Sequence, residues 1–229
     1  MPAPTREPKS EQKTDFRLLS ALALLTFATG LIDAASVLGL RHVFTANMTG
    51  NVVFLGFALV HAGSASAADC LLALGAFLVG ATLGGRLASK GVSFTAGLVV
   101  EVAILATASA LAWVPGGVAR IALAEIALLA LAMGLHNASV RKLAVPDMTT
   151  TVLTLTLTGL AADSWLAGGK NPRWPRRLLA VGLMLFGALS GALLLRRGLV
   201  WPITAATAIA GGACAVSAMS ARRPATHNG

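Results

Sequence analysis

Apolar runs of about the length that crosses a bilayer as helix, ~20 residues, follow one another along almost the whole of this 229-residue chain. A chain divided in this way has no stretch left from which a soluble domain with its own core could be built. Composition agrees: 56% of residues are hydrophobic, 12% are charged and the mean hydropathy is +0.77, whereas soluble domains carry about 25% charged residues. The expectation is an all-α protein, a polytopic transmembrane helix bundle of six to eight membrane segments in one domain over residues 16–220. Residues 1–15, rich in Pro, Lys, Glu and Thr, and residues 221–229 read as disordered tails.

Eight segments can be marked, at roughly 17–40, 46–62, 69–88, 92–113, 118–139, 148–166, 177–196 and 199–219. Pro115, Gly116 and Gly117 break the chain in the middle, and residues 62–67 and 171–175 mark further loops. The first segment follows basic residues, as in a signal peptide. It runs on through Ile32 and carries a polar motif that recurs later, so it is read as a retained span.

The formal net charge of +9 would suggest nucleic acid in a soluble protein, but here the basic residues gather at segment ends. Arg6, Lys9, Lys13 and Arg17 precede the first segment, Lys170, Arg173, Arg176 and Arg177 share a loop, and Arg222 and Arg223 follow the last segment. They read as topology signals and lipid-headgroup contacts, with no nucleic-acid partner. If all eight segments cross with the N-terminus inside, eleven of the eighteen Lys and Arg are cytoplasmic. If the second and sixth, the least hydrophobic, only dip in and return, fourteen are. The positive-inside rule therefore favours six crossings plus two broken or re-entrant segments. Trp113, Trp165, Trp174 and Trp201 lie near segment ends, as interfacial anchors do. Cys70 and Cys214 have no CxxC or His partner at ligand spacing, so neither a disulfide framework nor a metal site is expected.

A polar message is written twice within these apolar segments: TGLIDAAS and FTANMTGN in the first half, MGLHNAS and PDMTTT in the second. Gly30, Leu31, Asp33 and Ala34 align with Gly134, Leu135, Asn137 and Ala138; Met48 and Thr49 with Met148 and Thr149; Gly80 and Gly84 with Gly187 and Gly191. Three matches in the same order predict an internal duplication, with repeat one at about 17–113 and repeat two at about 118–219. Four full spans per repeat make the halves parallel, whereas three spans and a re-entrant segment make them inverted. The GxxxG pairs Gly80/Gly84 and Gly187/Gly191 let helix backbones approach closely, for packing between the repeats or as a homodimer face.

Polar residues in a membrane helix are costly, about 2.5–3.5 kcal/mol for a charge at the helix centre, and usually mark a solute or proton path. Asp33 shares a helical face with Thr26, Thr29 and Gly30, which turns its carboxylate toward the bundle interior. There it could hold a cation or proton, or accept hydrogen bonds from a neighbouring helix terminus. Asn47 and Asn51 are one turn apart, with Thr49 and Gly50 between them. In the second copy Thr150, Thr154 and Thr158 form a hydroxyl stripe flanked by Asp147, Thr149 and Thr151, although threonines also bond back to the carbonyl one turn earlier. The candidate substrate-binding set is Asp33, Asn47, Thr49, Asn51, Asn137, Asp147, Thr149, Thr150 and Thr151, lining a site for a small polar solute or ion near the bilayer midplane. A possible proton path comprises Glu125 and His136, on one face of the fifth segment, and Glu101, with Arg86 or Arg141 as its counter-ion. No phosphate loop, HExxH, GxSxG or paired metal ligand set is present, so neither an enzyme nor a cofactor is expected.

The strings TFATGLIDAASVLGLRHVFTANMTGNVVFLG and AMGLHNASVRKLAVPDMTTTVLTLTLTGLAADS closely resemble those of the YoaK family of small bacterial membrane proteins, a domain of unknown function. The resemblance implies a multi-pass protein of the bacterial cytoplasmic (inner) membrane, of this length, and no established activity. With the residues above, the expectation is a small transporter-like carrier or channel whose partners are membrane lipids and its solute. The rival is a non-transporting assembly or lipid-binding protein in which the polar motifs only lock helices together.

Overall fold

The computed structural model describes residues 16–114, 119–143, 153–171 and 173–221, which form helices and short connections. In chain order the helices are α1 (Phe16–Gly39), α2 (Met48–Leu59), α3 (Ala67–Ser89), α4 (Phe94–Ala112), α5 (Ala119–Leu143), α6 (Leu153–Ala162), α7 (Trp174–Leu195) and α8 (Val200–Ala221), with one 3-10 turn at Trp165–Ala167. The expected tail at 1–15, all but the first residue of that at 221–229, and the PDMTTT motif lie outside the described residues. Side chains of serine and asparagine fix several helix starts by accepting an otherwise orphaned backbone N–H: Asn47 from Gly50, Ser66 from Asp69 and Ser93 from Ala96.

Six helices, namely α1, α3, α4, α5, α7 and α8, hold apolar stretches of 19 to 24 residues, long enough to cross a membrane. The 12 residues of α2 and 10 of α6 rise only about 18 and 15 Å at 1.5 Å per residue, well short of a hydrocarbon layer of ~30 Å. The protein is a polytopic helical bundle in which, among the described residues, α2 and α6 are shorter than a span. Leucines, valines and phenylalanines such as Leu78, Val79, Leu185 and Phe186 face outward. The most enclosed helix is α1 and the next is α5.

Packing follows a reciprocal rule. α1 packs on α7 and α8, and α5 packs on α3 and α4; α2 lies on α3, and α6 on α7; α4 packs on α8. Exchanging α1–α4 with α5–α8 leaves this map unchanged. The rule holds at atomic detail, because a Cβ on Gly30 would meet the carbonyl of Met184 and the amide of Ala188, and one on Gly134 the carbonyl of Phe77 and the amide of Ala81. Gly80 faces the Leu131 carbonyl as Gly187 faces that of Phe27; Gly84 faces Leu135 and Ala138 as Gly191 faces Leu31 and Ala34. Both GxxxG pairs are therefore covered by helices of the same chain, where backbones touch because no side chain intervenes.

Helix direction decides how the halves relate. α4 and α8 are tied by Thr95 to Ser217 (2.7 Å), by Thr207 to the Leu105 carbonyl (3.3 Å) and by Ser109 to Thr204 (2.8 Å), so numbers rise on one helix as they fall on the other. Two halves inserted in the same sense would place α4 and α8 parallel. They are antiparallel.

Candidate functional site

The site begins with the way the chain leaves α1. Asn51, fully buried, clamps the backbone of Phe44: its Nδ2 donates to the Phe44 carbonyl (2.7 Å) and its Oδ1 accepts the Phe44 N–H (2.8 Å). The Phe44 ring stacks on Phe54 at 5.6 Å and lies over Gly50, where a Cβ would stand 2.6 Å from the ring. Folded back in this way, residues 40–47 bring the Ala46 N–H to Asp33, whose Oδ1 accepts it at 3.0 Å.

A cavity of about 160 Å³ opens beside this carboxylate, lined by Thr29 and Asp33 of α1, Ala46 and Asn47 of the folded-back segment, Leu153 and Thr154 of α6, and Met184 of α7. At ~30 Å³ per molecule it has room for roughly five waters. The N-terminal ends of both short helices border it, and such ends carry partial positive charge. Asp33 is 5% exposed and makes no ion pair among the described residues. The Thr29 hydroxyl donates to the Leu25 carbonyl (2.8 Å), which leaves its oxygen free to accept. Thr45, buried in the same segment, has a hydroxyl with no hydrogen-bond partner among the described residues.

Several predicted residues fall elsewhere. Of the nine, Asp33 and Asn47 line the cavity, and Thr154 of the hydroxyl stripe joins them from the second half. Asn51 does not: both ends of its amide are engaged by Phe44, so it shapes the site from behind. Thr49 is exposed and outside the lining. Asn137 donates to the Met133 carbonyl of its own helix (2.7 Å) and is not among the lining residues. Thr158 likewise bonds back to Thr154. Asp147, Thr149, Thr150 and Thr151 lie outside the described residues.

The expected partners of Glu101 and His136 are corrected. Arg86 and Arg141 are exposed near helix ends, whereas antiparallel packing of α4 on α5 sets Glu101 Oε2 3.1 Å from His136 Nδ1, with both side chains 1% exposed. Glu125 is buried on α5 but is not a member of this pair. Two ion pairs were not anticipated. Asp69, buried at the start of α3, receives Arg41 at 2.7 Å. Arg177, counted above among topology charges, is buried: it donates to the Gly159 carbonyl (2.5 Å) and Asn171 Oδ1 (3.0 Å) and pairs with Asp163 (2.8 Å). A Cβ on Gly159 would stand 2.8 Å from the guanidinium carbon. The signal was present in the string TGLAADS, whose glycine, Gly159, and single acid, Asp163, form this clasp.

These features define a multi-pass helical membrane protein with a polar cavity lined by α1, the segment before α2, α6 and α7. The chain belongs to the family described as "Protein of unknown function (DUF1275)", whose model matches residues 21–220. It is similar to the UPF0700 transmembrane protein YoaK of Bacillus subtilis (strain 168), at 33% identity over 148 residues, covering 62% of this chain and 65% of that protein. No solved structure matches significantly.

Proposed function

We propose that this protein is a small transporter-like carrier or channel of the bacterial cytoplasmic membrane, built by duplication, and that the cavity between its halves binds a small polar solute or ion. The observation that carries this reading is the cavity itself: Asp33, Asn47 and Thr154 border empty volume instead of closing on one another. Polar side chains that serve only to join helices gain little, about 0.6 kcal/mol per hydrogen bond on average, and do so by touching. Inverted halves, short helices that end at the site and a cavity shared by both halves are how many secondary transporters arrange alternating access, one half rocking against the other around the bound solute. No catalytic role is assigned to any residue.

The rival reading, a purely structural role for the motifs, draws support from Asn51 and Arg177, whose contacts are architectural. A solute-accumulation screen in proteoliposomes separates the two. With Asn47→Ser or Thr154→Val in a folded protein, loss of one positioned partner at ~1–3 kcal/mol predicts uptake affinity falling about five- to hundredfold. Absence of uptake of any small polar solute, or uptake indifferent to both substitutions, would sink the carrier reading.

A further inference from the structure

We infer that the species held in the cavity is a small cation, that Asp33 is its ligand, and that a proton competes with it for the same carboxylate. The inference rests on the reading of the cavity as a binding site and adds the charge of what binds there.

The argument starts from charge balance. A buried carboxylate is tolerated only when paired or neutralised. Among the described residues nothing basic meets Asp33. α2 and α6 contain no charged residue, α7 has none between Leu178 and Leu195, and α8 has none between Val200 and Met219, where Cys214 is the one titratable group. In residues 40–47 Arg41 is engaged by Asp69 and His42 is exposed. On α5, His136 faces Glu101, Glu125 is acidic, and Arg141 and Lys142 are exposed at the helix end. Residues 144–152, which join α5 to α6, include no Lys or Arg and add a further acid, Asp147. The backbone N–H groups of Ala46 and Thr45 and the ends of two short helices supply partial positive charge, each helix end worth about half an elementary charge. The remainder has to come from a proton or a bound cation, and both cannot occupy one carboxylate.

The lining gives the cation's class. Its polar groups are oxygens of a carboxylate, an amide and two hydroxyls, with an amide nitrogen and one thioether beside them, a hard donor set that suits alkali ions and ammonium groups. About 160 Å³ accommodates an ion with a few waters or a short alkylammonium, and is too small for a bulky organic cation.

The test uses purified full-length protein in detergent. Thermal unfolding is followed by tryptophan fluorescence in sodium, potassium or methylammonium chloride, each against N-methylglucamine chloride at equal ionic strength. The expected result is a Tm rise with at least one probe that is absent with glucamine. Its half-saturating concentration should grow about tenfold per pH unit on acidification once the protonated form predominates. Sodium or potassium against methylammonium separates an inorganic from an organic cation. Asp33→Asn, which copies the natural Asn137 and keeps an acceptor for Ala46, should fold and weaken the response at least tenfold. Asp33→Glu should retain a weakened, still pH-dependent response, which guards against a misfolded Asn variant. No probe acting on the wild type, or an undiminished response in folded Asp33→Asn, overturns the inference. Cation binding without uptake in proteoliposomes would defeat the carrier reading alone. Uptake of an uncharged solute that is sensitive to Asn47→Ser and indifferent to Asp33→Asn would defeat this inference alone.

Discussion

Replacing Gly80 with alanine probes the architecture at its tightest point. The added Cβ would overlap the Leu131 carbonyl oxygen and stand 2.8 Å from the carbonyl carbon and 3.0 Å from Cα, where ordinary contact begins at 3.4 Å. All three atoms are backbone, so no rotamer change relieves them and α3 must move off α5 by about an ångström along the crossing. Overpacking of this kind costs ~1–3 kcal/mol, offset in part by alanine's better helix propensity of ~0.8–1.0 kcal/mol, for a net loss of about 0–2 kcal/mol. Gly187→Ala should cost the same, because it meets the Phe27 carbonyl in the reciprocal contact. Gly85→Ala, where nothing lies within 4 Å, should be neutral or stabilising. Unfolding by sodium dodecyl sulfate in mixed micelles, followed by far-UV circular dichroism, gives all three values. Gly80→Ala as stable as Gly85→Ala would refute the close crossing, and a difference above ~1 kcal/mol between Gly80→Ala and Gly187→Ala would refute its reciprocity.

Three further outcomes are expected. In a background lacking Cys70 and Cys214, an impermeant thiol reagent applied to intact cells should label Ser64→Cys, in the exposed α2–α3 loop, and spare Ala167→Cys, beyond α6; the reverse pattern would invert the topology. Arg177→Met should cost ~1–3 kcal/mol in the same unfolding assay, because the Gly159 carbonyl and Asn171 amide lose a buried donor, while the half-exposed Asp163 contributes less. Asn51→Leu, which leaves both Phe44 backbone groups unpaired, should lose a similar amount and also weaken any ligand response of Asp33, since it frees the segment that carries Ala46; an unchanged response in that variant would show that Asn51 does not shape the site.

What the sequence revealed and what it hid follow from how each contact is made. Spans were legible because ~20 apolar residues have one stable arrangement in lipid, and the Lys and Arg count pointed to six crossings because insertion itself reads that bias. The glycine pairs were legible as close crossings, since only small residues permit them. The inward side of Asp33 was legible from helical spacing. Asn51 was misassigned because an asparagine that clamps a backbone and one that lines a cavity are identical as letters; Phe44, seven residues earlier, makes the difference. His136 and Glu101 were each noticed, but their pairing is set by how α4 crosses α5, which no local pattern encodes. Arg177 hid among topology charges because a basic loop residue is ordinarily solvated, and here the Gly159 gap and Asp163 draw it inward.

The two halves also differ, and the differences separate packing from other roles. Two hydroxyl bridges, Thr95 with Ser217 and Ser109 with Thr204, join α4 to α8. Contacts present in both halves are accounted for by the need to hold equivalent helices together. With Gly134 laid over Gly30, His136 falls on Ile32; with Thr95 laid over Thr204, Glu101 falls on Ala210. Where one half buries an acid and an imidazole, the other buries hydrocarbon in the same kind of crossing, so the crossing does not need the polar pair. Asp33 against Asn137 is the milder case: both can accept a hydrogen bond, but only one carries charge. Burying polar side chains costs free energy that their mutual hydrogen bond largely offsets without a surplus, so stability alone gives no reason to keep Glu101 and His136 in a crossing that hydrocarbon can fill. The polar departures from symmetry are therefore where activity is to be sought, with Asp33 first because it alone of the three lines open volume.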